Sequence, residues 1–246
     1  MQYKKNTALV VIPARYGSTR LPAKVLLKTS GKYLMQHTYE QILKCRLVDR
    51  IIIATDDKRV FKAGQEFGAE VRMTSKRHTC GTERIAQVAR HLPYQYIINV
   101  QADEPQIDPK SVDQVIDILR RNKDADMATL ASPIKPKDMA DPNKVKALLD
   151  RNKFAIGFMR LVDSHARSIG HAKLYRHIGI YGYRKQVLLG FVKLPQTESE
   201  KKLRLEQLRA LENGLKIKAA LVDKAFYGID TPRDYKTFLD KIKSAD

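Results

Sequence analysis

The sequence predicts an α/β fold, with a doubly wound, mostly parallel sheet joined to a smaller lobe of mixed strands. In the first half of the chain, short runs rich in β-branched residues alternate with amphipathic stretches, which is typical of a parallel sheet with helices on both faces. From about residue 126, apolar runs follow one another without long helices between them, which indicates strands of mixed direction. A length of 246 residues suffices for one such domain with a sizeable core.

Four apolar runs in the first half are predicted to form the parallel sheet. They cover residues 8–12, 51–54, 70–73 and 96–100. Their continuous apolar character suits strands that are buried on both faces. Helices are expected after the first and fourth strands, because apolar residues recur there at helical spacing. Their buried faces would carry Met35, Tyr39, Ile42, Leu43 and Leu47 in one helix, and Val112, Val115, Ile116 and Leu119 in the other.

The second half is predicted to hold further strands at 127–131, 145–149, 154–158 and 178–183. A charged helix over about 200–213, carrying Leu205, Leu208 and Leu211, should lead to a strand at 217–222 and a last helix from Thr231. This final stretch should return to the main sheet. No repeat or long linker interrupts the chain, so we expect a single domain over 1–246, with a core at about 1–125 and 205–246 and a lobe at about 126–204.

The chain is strongly basic, since 46 Lys and Arg against 27 Asp and Glu give a formal charge of +19. Nucleotides, polyanions or anionic membranes are therefore plausible partners, but charge does not choose among them. Cys45 and Cys80 lack metal-ligand spacing, so we expect no structural zinc, no disulfide framework and a reducing, cytoplasmic setting. The apolar stretch at 7–12 is too short for a signal peptide or a membrane anchor.

A cationic loop, PARYGSTRLPAK at residues 13–24, follows the first predicted strand. Doubly wound sheets bind ligands at the carboxyl ends of their strands. There Arg15, Arg20 and Lys24 could surround a triphosphate together with exposed backbone N–H groups, and Gly17 would permit close approach. The loop matches neither GxGxxG nor GxxxxGK[ST], which disfavours a dinucleotide site and a P-loop. Taken alone, it could also be a solvated basic loop.

The string RYGSTRLPAK resembles the signature loop of the sugar-activating nucleotidylyltransferases, specifically the bacterial cytidylyltransferases of 3-deoxy-manno-octulosonate (Kdo), the CMP-Kdo synthetase family. Other strings resemble blocks of this family in the same order: ATDD (54–57), CGTERIA (80–86), NVQADEP (99–105), RHIGIYGYR (176–184), LEQLR (205–209) and GIDTPRD (228–234). Together they span nearly the whole chain. The resemblance implies a nucleotidyltransferase-like fold with a nucleotide-binding core and a lobe for sugar binding and dimerisation.

The activity implied is the condensation of CTP with Kdo to give CMP-Kdo and pyrophosphate, for lipopolysaccharide biosynthesis, by a homodimer. We expect no nucleic-acid partner, because the sequence lacks RNP-type aromatics and a basic recognition helix. The implied cofactor is Mg²⁺, held by Asp103 and Asp230. Two carboxylates suit this hard cation, which keeps waters and bridges phosphate oxygens. By sequence rules alone, Asp230 is better explained as a helix N-cap. The implied catalytic residues are Arg15, Arg20, Lys24, Asp103 and Asp230.

The resemblance also implies two sets of binding residues. Those for CTP are Ala14, Arg15, Gly17, Ser18, Arg20, Lys24, Gly81 and Thr82. Those for the sugar acid are Gln101, Arg160, His177, Tyr181, Glu206 and Gln207. A guanidinium such as that of Arg160 can pair bidentately with a carboxylate. His177 and Tyr181 should share one face of a strand because their spacing is even.

Plainer alternatives exist for several of these residues. Gly81 and Thr82 could simply begin a helix, His177 could be structural, and Glu206 with Gln207 could form a solvated helix face. Asp56 and Asp57, which follow the second predicted strand, are expected to be helix caps. The role of Glu104 stays open.

The chain departs from the family pattern in three places. Ala23 and Ala102 stand where glycine is usual, and a positive φ at either position would be costly for alanine. The segment 160–175 lacks the usual proline-rich, aromatic character. An amino-modified Kdo or another nonulosonic acid of the sialic type is therefore an alternative substrate. A non-catalytic polyanion or nucleic-acid binder is a more remote alternative that rests on charge alone.

Overall fold

The computed structural model describes residues 6–162, 171–223, 225–226 and 228–244. The chain divides into two compact units. Unit 1 comprises Met1–Asp113 and Phe226–Asp246, and unit 2 comprises Gln114–Ala225. None of the helices within the described ranges combines the length and the apolar character needed to cross a membrane.

The secondary structure elements are numbered along the chain. The first seven are β1 (Ala8–Pro13), α1 (Leu34–Ile42), β2 (Arg50–Thr55), α2 (Lys58–Glu66), β3 (Val71–Met73), α3 (Gly81–Ala89) and β4 (Tyr96–Asn99). The unit boundary falls within α4 (Pro109–Arg121). Unit 2 continues with β5 (Met127–Ser132), α5 (Pro136–Met139), β6 (Lys146–Leu149), β7 (Ala155–Met159), β8 (Lys173–Arg184), α6 (Lys185–Phe191), α7 (Glu198–Leu203), α8 (Glu206–Glu212) and β9 (Ile217–Leu221). The last helix, α9 (Pro232–Lys243), belongs to unit 1.

Unit 1 contains the predicted parallel sheet. β1 pairs in parallel with β2 and β4, and β2 pairs in parallel with β3. Every residue of β1 and β4 is buried, as expected for strands that are covered on both faces. Because parallel strands point the same way, the segments that follow β1 and β4 emerge at the same edge of the sheet. All four strands predicted for the first half are confirmed.

The predicted helix faces are only partly correct. In α4, Val112, Val115, Ile116 and Leu119 are all fully buried, which confirms that face. In contrast, α1 ends at Ile42, and Leu43 is 58% exposed. The chain turns there because the Asp113 carboxylate accepts hydrogen bonds from the backbone N–H groups of Arg46 and Leu47. Including Leu43 and Leu47 in the buried face of this helix was therefore wrong.

Unit 2 has strands of mixed direction, as predicted. β5 pairs antiparallel with β8 and parallel with β9, whereas β6 pairs antiparallel with both β7 and β8. β8 is twelve residues long and begins before the predicted strand at 178–183. Since β9 pairs with β5, residues 205–225 lie in unit 2 and not with the core, where the sequence pattern places them.

The charged helix predicted over about 200–213 is wrong, because two helices, α7 and α8, occupy this segment. Between them Arg204 adopts a left-handed conformation with φ 53°, and Leu205 is extended, so a continuous helix is impossible. The two short helices are joined by an ion pair in which Arg209 Nη2 lies 2.9 Å from Glu200 Oε1. Both side chains are buried, as are Leu205 and Leu208.

Candidate active site

The loop after β1 carries the cations of the candidate site in unit 1. Ala14 is fully buried and its N–H donates to Ala54 O at 2.9 Å, so the chain leaves the sheet only after this residue. Arg15 and Arg20 are exposed. A short 3-10 helix (Lys24–Leu26) ends the loop, and buried Val25 anchors it. The loop therefore presents two exposed guanidinium groups, and one ammonium group on a backbone that the short helix holds in place.

Lys24 brings the two predicted metal-binding carboxylates together. Its Nζ contacts Asp103 Oδ2 and lies 3.0 Å from Asp230 Oδ1. It also donates to the carbonyl oxygen of Ile229 at 2.8 Å. Arg20 Nη2 approaches the same Asp230 oxygen at 2.8 Å. Two aspartates separated by more than a hundred residues in sequence therefore meet around one cation.

Local backbone structure explains how Asp230 reaches this position. The N–H of Ile229 donates to the carbonyl oxygen of Asp103 at 2.8 Å, which ties the segment before α9 to the end of β4. The N-cap of α9 is Thr231, whose hydroxyl accepts from the Asp234 N–H, and the Asp234 carboxylate accepts from the Thr231 N–H in return. The explanation of Asp230 as the N-cap is therefore wrong, and its carboxylate is free to face Lys24 and Arg20.

Charge and burial shape the titration of this cluster. Burial disfavours the charged form of Lys24, but Asp103 and Asp230 outweigh that effect and raise the pKa of Lys24. Burial also raises the pKa of Glu104 to about 8, and the neighbouring carboxylates of Asp103 and Asp230 add to the shift. The Oε2 atom of Glu104 is buried and has no hydrogen-bond partner among the described residues.

The cluster lies in the wall of a cavity of about 420 Å³. The predicted site residues on this wall are Arg15, Gly17, Ser18, Arg20, Lys24, Gln101, Asp103 and Asp230. Pro13, Thr19, Val25 and Ala102 also line it. The cavity is therefore built from the two segments that follow β1 and β4, together with the residue that precedes the cap of α9.

Three predicted CTP-binding residues are not on this wall. Ala14 directly follows β1 and is fully buried. Gly81 is the first residue of α3 and Thr82 is 1% exposed, so the alternative that they begin a helix is correct. A Cβ atom on Gly81 would lie 3.2 Å from Pro13 Cγ, so this glycine allows α3 to pack closely against the end of β1. Contact of these three residues with nucleotide stays a prediction.

The donor set around Lys24 fits a hard divalent cation. Two carboxylates and one backbone carbonyl already surround a single positive charge there. Within the part of the chain that the structure describes, no group of three or more His, Cys, Asp or Glu side chains could hold a metal ion. A site with two protein carboxylates suits Mg²⁺, which keeps several waters and takes substrate phosphates as further ligands.

Unit 2 brings His177 and Tyr181 together through an irregularity in β8. Thr129 pairs with Tyr181 and Leu130 pairs with Ile178, so two residues of β8 bulge out between these pairs. Four residues of regular strand span about 13 Å. The bulge shortens this distance, and the two ring centroids lie 5.4 Å apart. The prediction that both side chains share a face is confirmed.

Thr129, which the sequence reasoning did not assign, fixes this bulge. Its side chain is fully buried, and Oγ1 lies 2.8 Å from the carbonyl oxygen of Ile180 and 3.0 Å from His177 Nε2. Burial lowers the pKa of His177 to about 3, so the imidazole is neutral at pH 7. Burial, helped by Tyr183 and Glu206, raises the pKa of Tyr181. The Tyr181 hydroxyl is buried without a partner in the described ranges, so a hydrogen-bonding group is available here.

Arg160 is occupied by backbone oxygens. Its Nε donates to Leu203 O at 2.6 Å, Nη1 to Pro142 O at 3.0 Å and Nη2 to Arg204 O at 3.3 Å. Binding a sugar carboxylate would require it to release some of these carbonyls. Gln207 is 6% exposed, which argues against a solvated helix face at this position. Sugar contacts by the five predicted residues of unit 2, and by Gln101 in unit 1, stay predictions.

Comparison with known proteins identifies the family. The family described as cytidylyltransferase matches residues 9–217. The chain belongs to the cytidylyltransferase family. A relative from Geobacter sulfurreducens, named 3-deoxy-manno-octulosonate cytidylyltransferase, is 41% identical over 95% of this chain and 98% of its own length. Another protein with the same name, from Rhodopirellula baltica, is 42% identical over 96% and 98% of the two chains.

Solved structures agree with this family. A CMP:2-keto-3-deoxy-manno-octonic acid synthetase complexed with CTP is similar with a TM-score of 0.90 and 35% identity, covering 98% of this chain and all of the other. A cytidylyltransferase from Leptospira borgpetersenii has a TM-score of 0.66 and 17% identity over 97% of this chain and 87% of its own, which supports the fold alone. The resemblance seen in the sequence motifs is confirmed.

Two of the three departures from the family pattern can be located in this cytidylyltransferase. Ala23 has φ 52° and ψ 27°, a left-handed conformation in which a Cβ atom is strained. Ala102 is not among the described non-glycine residues with positive φ, so its methyl group carries no such cost. Residues 163–170, the centre of the divergent segment, lie outside the described residues. Asp57 is the N-cap of α2, as predicted, whereas Asp56 pairs with buried Arg84.

Proposed function

We propose that this cytidylyltransferase condenses CTP with Kdo, giving CMP-Kdo and pyrophosphate for lipopolysaccharide biosynthesis. The observation that carries the proposal is the convergence of Lys24 on Asp103 and Asp230 in a cavity at the carboxyl ends of β1 and β4. An anionic triphosphate requires cations and a place for a divalent metal, and this cavity offers both. The names of the similar proteins support CTP and Kdo as the substrates.

The reaction forms one bond and breaks another at the α-phosphorus. The anomeric hydroxyl oxygen of Kdo bonds to this phosphorus, the bond to the oxygen shared with the β-phosphate breaks, pyrophosphate leaves with that oxygen, and the hydroxyl proton is released. Arg15, Arg20 and Lys24 line the cavity and would hold the triphosphate. Negative charge grows on the leaving pyrophosphate, so cations already in place stabilise it in the transition state.

Asp103 and Asp230 would hold Mg²⁺. When bound, Mg²⁺ supplies positive charge that neutralises phosphate oxygens. The cavity wall contributes the Ser18 and Thr19 hydroxyl groups, which can donate hydrogen bonds to phosphate oxygens. Holding the triphosphate by several fixed groups lowers the entropy cost of aligning its α-phosphorus with the attacking hydroxyl.

For the sugar acid we propose Gln101, Arg160, His177, Tyr181, Glu206 and Gln207. The neutral imidazole of His177 and the buried hydroxyl of Tyr181 can donate or accept hydrogen bonds with sugar hydroxyls, as can the amide of Gln207. A buried hydroxyl without a partner is costly, which supports a ligand at Tyr181. Such groups discriminate strongly between sugars that do and do not satisfy them.

Pyrophosphate release by purified protein with CTP and Mg²⁺ tests the proposal. The sugar acids compared are Kdo, an amino-modified Kdo and a sialic acid, each ranked by kcat/KM. We expect Kdo to exceed the others by up to about 10⁴-fold, because a lost designed hydrogen bond is expensive. If the amino-modified Kdo or the sialic acid gave the highest kcat/KM, that sugar acid and not Kdo would be the substrate. No turnover of any sugar acid by folded protein would refute the function.

A homodimer and a cytoplasmic setting belong to the same proposal. Cys45 and Cys80 form no disulfide, which suits a reducing compartment. Size-exclusion chromatography with light scattering measures the oligomeric state directly, and a mass of one chain would contradict the dimer.

A further inference from the structure

The Lys24 ammonium group is bound by the two carboxylates that the proposed function assigns to a metal ion. The oxygen atoms around it are those of Asp103, Asp230 and Ile229. Asp103 and Asp230 are the residues proposed above to hold Mg²⁺, and Ile229 directly precedes Asp230. A divalent ion and an ammonium group repel each other at contact distance, so binding of both to the same oxygens is strongly disfavoured.

The Lys24 side chain is only 13% exposed, and its backbone is held by the short helix that contains buried Val25. The ammonium group therefore has few places to go when it leaves the carboxylates. One of them is the cavity that Lys24 itself lines together with Arg15, Ser18 and Thr19. An ammonium group expelled into that cavity without an anion would lose two charged partners and gain none.

We propose that Lys24 is an exchangeable counter-ion that occupies the metal site until metal and nucleotide bind together. In the metal-free protein it neutralises Asp103 and Asp230. When a divalent ion takes these carboxylates, Lys24 transfers to the phosphate groups of the nucleotide. This inference rests on the proposed function, because it needs the metal role of the aspartates and the phosphate role of the loop.

The exchange makes metal and nucleotide binding mutually supportive. Metal alone must displace Lys24 into a cavity that has no anion, so it binds weakly. Nucleotide alone competes with two carboxylates for the same ammonium group, so it also binds weakly. Each ligand removes the obstacle to the other, and linkage requires that the gain be equal in both directions. If the ion pair were purely structural, Lys24 would instead stay bound to Asp103 whether or not metal and nucleotide are present.

The exchange is tested by measuring the affinity of the protein for Mn²⁺ without nucleotide. Electron paramagnetic resonance detects the Mn²⁺ that stays free. Lys24→Met should bind Mn²⁺ at least about tenfold more tightly than the unmodified protein, within the usual range of coupling between sites. Lys28→Met is the matched control, because Lys28 is exposed and lies 4.4 Å from the centroid of the Tyr33 ring rather than at the carboxylates. It removes the same charge and should leave Mn²⁺ affinity unchanged. Adding Asp103→Asn to Lys24→Met should abolish the gain.

A second measurement uses the unmodified protein, in case Lys24→Met does not fold. An amine-reactive ester labels lysines, and mass spectrometry follows Lys24 with Lys28 as the internal reference. Mg²⁺ alone should increase Lys24 labelling, and Mg²⁺ with CTP should suppress it again.

The outcomes separate this inference from the proposed function. Two results would overturn the exchange alone. The first is that Lys24→Met and the unmodified protein bind Mn²⁺ with equal affinity. The second is that Mg²⁺ leaves Lys24 labelling unchanged although Mn²⁺ binds at Asp103. Absence of Mn²⁺ binding in every variant, with or without CTP, would overturn both the exchange and the metal role proposed for the aspartates.

Discussion

Two ion pairs of α7 provide a test of how burial sets the strength of an interaction. Glu200 lies 2.9 Å from Arg209, and their side chains are 5% and 7% exposed. Glu198 lies 2.7 Å from Lys201, but these side chains are 91% and 51% exposed. Distance alone would rank the second pair as the stronger one. Burial predicts the opposite order.

Replacing Glu200 by Gln leaves the positive charge of Arg209 buried without the negative charge of its main partner. Loss of one partner from a buried pair typically costs about 3–5 kcal/mol. Arg209 keeps a contact with Glu206 at 3.2 Å and donates to Leu194 O at 3.2 Å. We therefore expect the lower end of the range, about 3 kcal/mol, for Glu200→Gln. The matched control Glu198→Gln should cost less than about 0.5 kcal/mol, because water screens that pair.

Urea denaturation followed by far-UV circular dichroism measures both variants, since the chain contains no tryptophan to report by fluorescence. Because the chain has two compact units, transitions monitored at two wavelengths should first be shown to coincide. Equal losses for Glu200→Gln and Glu198→Gln would refute the argument from burial.

Three further predictions follow from backbone strain, packing and titration. Ala23→Gly should raise the free energy of unfolding, measured by urea denaturation, by about 0.5–1 kcal/mol. Glycine relieves the strain of a left-handed alanine, about 1–2 kcal/mol, but the greater entropy of glycine in the unfolded chain offsets about 0.5–1 kcal/mol of this gain. A loss of stability would contradict the strain. Gly64→Ala should cost about 1–2 kcal/mol, because a Cβ atom there would lie 2.5 Å from Val71 Cγ2 and overpacking of about 2–3 kcal/mol exceeds the gain of about 1 kcal/mol in helix propensity; an unchanged urea midpoint would show that Val71 shifts enough for the two effects to cancel. Below pH 6.5 the unfolded chain protonates His177, whereas the folded protein does not until about pH 3, so stability is full above pH 6.5 and falls by about 2 kcal/mol on going to pH 5. Urea titrations from pH 8 to 5 measure this slope, and His177→Gln should reduce it; an equal slope in the variant would remove His177 as the cause.

The fold was largely predictable because buried strands carry their own signal. Runs such as LVVI in β1 and IIIA in β2 are apolar on both faces, which few other structures require. The α7–α8 segment was not predictable from the same kind of pattern. Its leucines recur at helical spacing, but the left-handed Arg204 and the buried Glu200–Arg209 pair depend on tertiary packing.

The sequence predicts which residues belong to the candidate site better than it predicts their contacts. Motif resemblance pointed to Lys24, Asp103 and Asp230, and the structure brings them together. Capping rules favoured Asp230 as an N-cap, but Thr231 takes that position because its hydroxyl and Asp234 form a reciprocal pair. The signal was present in the sequence as Thr-Pro-Arg-Asp, a threonine three residues before an acidic residue.

Thr129 and the contacts of Arg160 could not be found in this way. A threonine within an apolar strand carries no sign that its hydroxyl bonds a carbonyl in a bulge of the neighbouring strand. An arginine after a strand equally suits a ligand and a brace for backbone carbonyls. Both depend on pairings between segments that are far apart in the chain.

Turnover of CTP and Kdo by Asp103→Asn and Asp230→Asn tests whether the two carboxylates and the loop cations act at one site. Pyrophosphate release is measured in saturating Mg²⁺, with circular dichroism as the check that each variant is folded. We expect each variant to lose at least about 10²-fold in kcat, as when a preorganised electrostatic group is removed. Folded variants that both turn over at the unmodified rate would contradict it.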